Sequence, residues 1–294
     1  MRIVSLLPSA TDIVVALGLG DDVVGVTSSC DGPAGAEVVS RALLDGDGRT
    51  AAELDRAVSE AAAAGASVYG LDTEAVGRLR PDVIVTQDLC RVCAVPVGQV
   101  DEALAKLGTQ ADVISLDPAS LADVLADVER IGRATGTQAR AAALVEELRD
   151  RIEAVRARTA GRPVVTTFAL EWLDPPFTAG HWVPDLVELA GGASLRGVAG
   201  TPSVRTTWEA VRATSPEALV AMPCGYGLPQ AAAEARALLD VPELRLARVA
   251  AVDADRHFSR PGPGLVDGLE ALAWVLHPDV VPEPPPGIVE VLRA

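Results

Sequence analysis

Glu74-Ala-Val-Gly-Arg-Leu-Arg-Pro-Asp-Val-Ile-Val85 and Glu209-Ala-Val-Arg-Ala-Thr-Ser-Pro-Glu-Ala-Leu-Val220 are one phrase written twice in the same chain. In each copy a short helix opens at Glu-Ala-Val, a proline followed by an acid breaks it, and an apolar run follows as a buried strand. Glu74 to Pro81 and Glu209 to Pro216 keep the same spacing. A phrase that recurs once in 294 residues predicts two similar α/β lobes. Two lobes imply a cleft between them, and function is expected there.

The rest of the chain reads outward from the two copies. Arg2–Leu7 is expected to be the first strand, followed by a helix through Ile13, Val14 and Leu17 that Ser9 or Thr11 can cap. Further strands are expected at Val23–Val26, Val83–Val85 and Val113–Leu116. Strands that alternate with helices specify a parallel sheet, and parallel sheets bind ligands beyond their carboxyl ends. From Ser120 the strand pattern stops. Leu121, Val124, Val128 and Ile131 form one helical stripe, and Ala141, Leu144, Leu148, Ile152 and Val155 form a second on a long helix from Thr137 to Thr159. The second lobe opens at Val164–Leu170, continues with strands at Leu219–Ala221 and Val249–Val252, and closes with a helix from Leu265 to Leu276 and a proline-rich, extended tail. The expected fold is two Rossmann-like lobes with central parallel sheets, joined by a long backbone helix. The expected segments are 1–118 for the first lobe, 119–160 for the connecting helices and 161–294 for the second lobe with its tail.

Composition excludes several classes. A net charge of -16 repels nucleic acid and anionic membrane surfaces. No apolar run approaches the roughly 18 to 20 residues that span a bilayer, so membrane insertion is not expected. Four cysteines in a chain of this length are too few for a disulfide scaffold. Residues 1–12 do not make a convincing secretory signal. The expectation is a soluble, monomeric protein, cytoplasmic as written and periplasmic or surface-bound if a leader has been removed.

The distinctive side chains follow the strands. Cys30 and Asp31 come after the second strand; Gln87, Asp88, Cys90 and Cys93 come after Val83–Val85; Glu171, Trp172, Phe177, His181 and Trp182 come after Val164–Leu170. Cys224 and Tyr226 follow Leu219–Ala221, and His257, Phe258 and Arg260 follow Val249–Val252. Aromatics make up only 3% of the chain, so five rings in these loops offer flat faces to a large planar ligand, with Gln87, Arg205 and Arg260 for its polar edge. Cys90-Arg-Val-Cys93 is compatible with metal binding, a redox disulfide or a purely structural pair; Cys30, Cys90, Cys93 and His181 would be the ligand set for zinc. Neither a nucleophile–histidine–acid arrangement nor a phosphate-cradling glycine loop is legible, so no enzyme is expected and no cofactor is required. His277 reads as a helix end. Glu74 and Glu209 each sit at a helix start, where a carboxylate suits the dipole.

With these stretches in hand, the chain resembles the helical-backbone substrate-binding proteins of ABC importers, the class for cobalamin, iron-siderophores and haem, and most closely the cobalamin branch. The carriers are Ser5-Leu-Leu-Pro-Ser-Ala-Thr-Asp12, Leu79-Arg-Pro-Asp-Val-Ile-Val85, Thr86-Gln-Asp-Leu-Cys-Arg-Val-Cys93, Gly180-His-Trp-Val-Pro184 and Ser259-Arg-Pro-Gly-Pro-Gly-Leu-Val-Asp-Gly-Leu-Glu270. The resemblance implies a ligand held between two lobes, and Glu74 and Glu209 docked on arginines of a dimeric permease. A corrinoid is the expected ligand. An iron-siderophore, for which Arg41, Arg205 and Arg260 would matter more, and a metal or thiol-redox protein built on Cys90 and Cys93 are the alternatives. The candidate ligand contacts are Ser9, Cys30, Asp31, Tyr69, Gln87, Glu171, Trp172, Phe177, His181, Trp182, Arg205, Tyr226, Phe258 and Arg260.

Overall fold

A computed structural model describes residues 1–44, 49–64, 68–87, 95, 97–107, 110–244 and 247–294. The chain divides into two compact units, Met1–Pro118 with Asp123–Val145, and Ala119–Ala122 with Glu146–Ala294.

In the first unit the order is β1 (Ile3–Ser5), α1 (Pro8–Ala16), β2 (Val23–Thr27), β3 (Glu37–Ala42), α2 (Ala51–Ala63), β4 (Tyr69–Leu71), α3 (Thr73–Leu79), β5 (Val83–Thr86), α4 (Val97–Leu107) and β6 (Asp112–Ser115), followed by α5 (Leu121–Ala134). The sheet runs β4-β3-β2-β1-β5-β6. All its pairings are parallel except β3 with β4. Val4, Leu6, Ile84, Val76 and Val100 form its core with almost no exposed surface. Helix α1 differs from expectation at its start. Its first residue is Pro8, whose missing N–H costs nothing there, and its N-cap Leu7 offers no side-chain acceptor. Ser9 and Thr11 are therefore inside the helix and buried, not capping it.

Helix α6 (Gln138–Thr159) passes through the division between the units. Its buried apolar residues are Ala141, Val145, Leu148, Ile152 and Val155. Val145 takes the place expected of Leu144, which keeps alternate spacings of four and three and a straight stripe.

In the second unit the order is β7 (Val165–Leu173), β8 (Pro176–Thr178), α7 (Val183–Leu189), β9 (Gly192–Ser194), β10 (Val204–Arg205), α8 (Trp208–Ala213), β11 (Ala218–Ala221), α9 (Leu228–Ala235), β12 (Arg248–Val252), α10 (Ala254–His257), α11 (Gly264–Leu276) and β13 (Val289–Arg293). The sheet path is β10-β8-β7-β11-β12-β13, with β9 also on β7. Its centre is parallel, but β8, β10 and β13 pair antiparallel, so the sheet is mixed at both edges. The proline-rich tail thus ends in a strand, and Arg293 donates to the carbonyl oxygens of Leu244 at 2.7 Å and Leu239 at 2.5 Å.

The duplicated phrase is a duplicated geometry. Asp72 caps α3 by accepting from the Ala75 N–H at 2.9 Å, and Thr207 caps α8 by accepting from the Ala210 N–H at 3.1 Å. Val76 and Val211 are buried at matching points. Before each proline the backbone turns left-handed, at Arg80 (φ 45°) and at Ser215 (φ 46°). The acid after each proline then ties two strands together. The Asp82 carboxylate accepts from the Arg2 N–H at 2.7 Å and the Glu217 carboxylate from the Thr166 N–H at 2.8 Å. Their carbonyls accept from Asp112 and Arg248 on the other side, at 2.9 and 2.8 Å. The strands β2-β1-β5-β6 of one unit therefore correspond to β9-β7-β11-β12 of the other.

Candidate functional site

In the first unit, the turn after β1 holds a short polar relay. Thr11 Oγ1 donates to Ser5 Oγ at 2.8 Å, Ser5 Oγ donates to the Leu7 carbonyl at 3.0 Å, and Cys30 Sγ lies 3.1 Å from Thr11 Oγ1. Ser9 is 2% exposed, so it faces the interior of the unit. Cys30 is half-buried, and Asp31 is exposed on the loop after β2. Gln87 is buried immediately after β5. Cys90 and Cys93 lie outside the described residues. Among the described residues no group of three or more His, Cys, Asp or Glu side chains is placed to hold a metal.

Tyr69 and Arg41 lie on paired strands, β4 and β3, at the sheet edge away from β1. Tyr69 lines a cavity of about 340 Å³ with Leu43, Thr73, Gln99 and Glu102. That cavity opens beside α3 and α4.

The second unit gathers its candidates into one connected surface. Trp172, Phe177 and Arg205 are successive cross-strand partners on β7, β8 and β10. The Arg205 guanidinium lies 5.5 Å from the Phe177 ring centre, and the Trp172 ring meets Tyr226 edge-on at 5.3 Å. The result is a half-exposed row, Arg205–Phe177–Trp172–Tyr226, at the carboxyl ends of β7 and β11. An aromatic row of this kind presents flat apolar area with little rotamer freedom to lose.

Other predicted residues support that row. Trp182 is 6% exposed and donates from Nε1 to the Phe258 carbonyl at 2.8 Å, and Phe258 is 3% exposed. Both rings are enclosed inside the unit, and they brace the loops instead of offering faces. Arg260 is buried and held by Asp255 through two bonds, at 3.3 and 2.5 Å. Asp255 N–H in turn donates to the Tyr226 carbonyl at 3.0 Å, so this pair fixes the loop carrying Tyr226.

Glu171 is the crossing point. Its carbonyl accepts from the Cys224 N–H at 3.0 Å, and its Oε2 accepts from the Gly180 N–H at 3.1 Å. Burial raises the Glu171 carboxyl above the usual range, while bonds from Gly180 and Ser203 oppose that shift. Gly180 is required here, since a Cβ would sit 2.3 Å from the Ser203 nitrogen and 2.5 Å from the Thr201 oxygen. Beside it, His181 has a left-handed backbone (φ 51°), donates to the Thr201 carbonyl at 2.6 Å, and stacks at 5.5 Å on Trp182. Burial lowers its pKa, so the ring is neutral at pH 7.

Two acidic residues at the Tyr226 end had no signal in the sequence. Asp174, in the turn after β7, accepts from Trp172 Nε1 through its carbonyl at 3.1 Å. Glu234 on α9 is raised by burial and then by the charge of Asp174, and Tyr226 is raised by burial and then by Glu234. His277 caps α11 and is bonded at 3.2 Å to the Gly191 carbonyl, as its reading as a helix end requires.

Glu74 and Glu209 are exposed in the first turns of α3 and α8.

Comparison with known proteins adds to this geometry. The family described as periplasmic binding protein matches residues 3–256. An ABC transporter substrate-binding lipoprotein of Bacillus subtilis is 27% identical over 290 residues, covering 96% of this chain and 82% of that protein. A vitamin B12-binding protein of Yersinia pestis is 25% identical over 221 residues, covering 74% of this chain and 68% of its own length. Among solved structures, a periplasmic haem-binding protein of Vibrio cholerae superposes with a TM-score of 0.70 at 20% identity, over 95% of this chain and 99% of that one.

Proposed function

This chain belongs to the periplasmic binding protein family, and from that membership we propose that it is the substrate-binding component of an ABC importer, with a corrinoid as its ligand. The reading is of a binding protein, not an enzyme, and it requires no cofactor. The relative named as an ABC transporter substrate-binding lipoprotein supports the importer role, and the relative named as a vitamin B12-binding protein supports the corrinoid.

The observation that carries the ligand reading is the row of Arg205, Phe177, Trp172 and Tyr226. A planar metal chelate buries apolar area on the three rings, and Arg205 donates to acceptors on its edge. In the first unit, Gln87 after β5 and Cys30 and Asp31 after β2 are further candidate contacts. An iron-siderophore would rely on Arg205 and Arg41 and make less use of Trp172.

Glu74 and Glu209 are the proposed docking points for a permease dimer. The support is their position. Each is exposed one residue into a helix whose cap, left-handed break and strand clamp recur in the other unit. Arginines on a two-fold partner would meet one carboxylate from each unit. On the same reading the protein works outside the cytoplasmic membrane, as a lipoprotein or periplasmic protein does, and fractionation of the native host tests that.

Titration with cyanocobalamin, followed by tryptophan quenching, tests the ligand. Saturable binding is expected at micromolar concentration or below, weakened at least tenfold in Trp172→Ala. No saturation at 100-fold higher concentration would remove the corrinoid from consideration. Glu74→Arg with Glu209→Arg should leave ligand binding intact and abolish stimulation of the permease ATPase.

A further inference from the structure

Strand β7 carries one residue more than its neighbour where the aromatic row begins. Leu170 pairs with Thr178 and Trp172 with Phe177, two steps on β7 against one on β8, so Glu171 is the extra residue of a bulge. Paired residues share a face of the sheet, and side chains alternate along a strand. In an unbroken ladder Glu171 would stand opposite Phe177, and Trp172 would turn to the other face. The bulge is therefore what sets Trp172 beside Phe177, whose other partner is Arg205. Glu171 is anchored on two sides. Its carbonyl accepts from the Cys224 N–H at 3.0 Å, in the loop that carries Tyr226, and its Oε2 accepts from the Gly180 N–H at 3.1 Å. Gly180 lies against the chain that leads into β10, where a Cβ would overlap the Ser203 nitrogen and the Thr201 oxygen. Beside it, the Thr201 carbonyl accepts from the His181 N–H at 2.6 Å, and the His181 carbonyl accepts from the Gly200 N–H at 3.0 Å.

We infer that Glu171 is a positioning residue for the ligand surface: its carboxylate, bonded to Gly180, holds the bulge that keeps Trp172, Phe177 and Arg205 in one row. It acts through the row and requires no contact with the ligand. This inference rests on the planar-chelate reading and names what preorganises its surface. A row held in place before binding loses little freedom when a flat ligand is laid on it, so the clamp contributes to affinity beyond its share of stability. Removing the acceptor frees the Gly180 turn and the segment before Arg205. A bulge without its anchor can slip by one residue, which sends Trp172 to the opposite face. An amide at position 171 still offers an oxygen to the Gly180 N–H, so glutamine preserves the clamp and alanine does not.

The full chain is titrated with cyanocobalamin as wild type, Glu171→Ala, Glu171→Gln and Glu217→Ala, with folding confirmed by circular dichroism and urea unfolding. Glu217 clamps the opposite end of β7 through Thr166, so its variant loses stability without touching the row. The expected result is a loss of affinity of about tenfold in Glu171→Ala, recovery to within about threefold of wild type in Glu171→Gln, and wild-type affinity in Glu217→Ala. Hydrogen exchange measured without ligand should quicken about tenfold across 176–182 and 200–205 in Glu171→Ala, and in neither of the other variants. If Glu171→Ala does not fold, Glu171→Asp takes its place with the same expectations, since the shorter side chain draws the acceptor back from Gly180. Affinity within about threefold of wild type once the acceptor is removed, equal losses in Glu171→Ala and Glu171→Gln, or an equal loss in Glu217→Ala would each overturn the role of Glu171. In those cases a Trp172→Ala variant that still binds about tenfold more weakly keeps the planar-chelate reading standing. A wild type that shows no saturable binding would bring down both.

Discussion

Asp127, on α5, sits in the interior of the first unit with 8% of its surface exposed, and its Oδ2 has no hydrogen-bond partner among the described residues. Arg130, one turn on, places its Nη1 4.0 Å from Oδ1. Burial is the main cause that lifts its pKa from 3.8 to about 6; Arg130 pulls it down, and Asp117 and Asp123 push it further up. The folded protein therefore holds this proton more tightly than the unfolded chain. The stability linked to the neutral acid is fully present below pH 3.8 and is lost as pH rises through about 6. A shift of roughly 2 units at 1.36 kcal/mol each sets a ceiling of about 3 kcal/mol, and relaxation around the charge reduces it to about 2 kcal/mol. Asp127→Asn keeps the shape and removes the ionisation. Urea unfolding of both proteins at pH 4 and pH 8 should show a gap of under about 1 kcal/mol at pH 4, and the variant more stable by about 2 kcal/mol at pH 8. A variant less stable than wild type at pH 8, or a gap independent of pH, would refute the reasoning.

Three further outcomes follow from single contacts. Gly180→Ala forces a Cβ against backbone atoms of Thr201 and Ser203, so it should lower stability by about 2 kcal/mol or more by thermal unfolding and weaken ligand binding with it. Glu217 accepts from the Thr166 N–H and hydroxyl, both at 2.8 Å, and these bonds lower its pKa. Glu217→Ala should cost about 1 kcal/mol at pH 7 by urea titration, with the loss fading as pH falls below the ordinary glutamate range and Glu217→Gln recovering part of it. Removal of residues 287–294 takes away β13 and both Arg293 bonds, exposing the β12 edge. The shortened chain should melt several degrees lower and aggregate faster on light scattering.

Much of the fold was legible because two kinds of local signal agreed. The repeated phrase marked a helix, a break and a buried strand in each half, and the apolar periods at Leu121–Ile131 and Ala141–Val155 marked α5 and α6. The short strands at and near the sheet edges were not legible. Tyr69–Leu71, Pro176–Thr178 and Val204–Arg205 are each two or three residues long, too short for a period to show, and their pairing depends on a neighbour supplied by the fold. The strand at Val289–Arg293 stood behind a proline-rich stretch that reads as an extended tail.

The candidate site divides in the same way. Composition and position marked Trp172, Phe177, Tyr226 and Arg205 as unusual residues just after strands. Nothing local distinguished them from Trp182, Phe258 and Arg260, which the same reasoning marked equally.

By itself, then, the sequence determined that this is a duplicated α/β protein with its distinctive side chains at strand ends, because helical and strand periods, proline breaks and repeat spacing are properties of neighbours along the chain. The tertiary structure alone decided which rings stand in the open row and which brace it from inside, and that Arg260 is held by Asp255 within the unit. Those outcomes depend on burial and cross-strand register, neither of which is encoded in any one stretch.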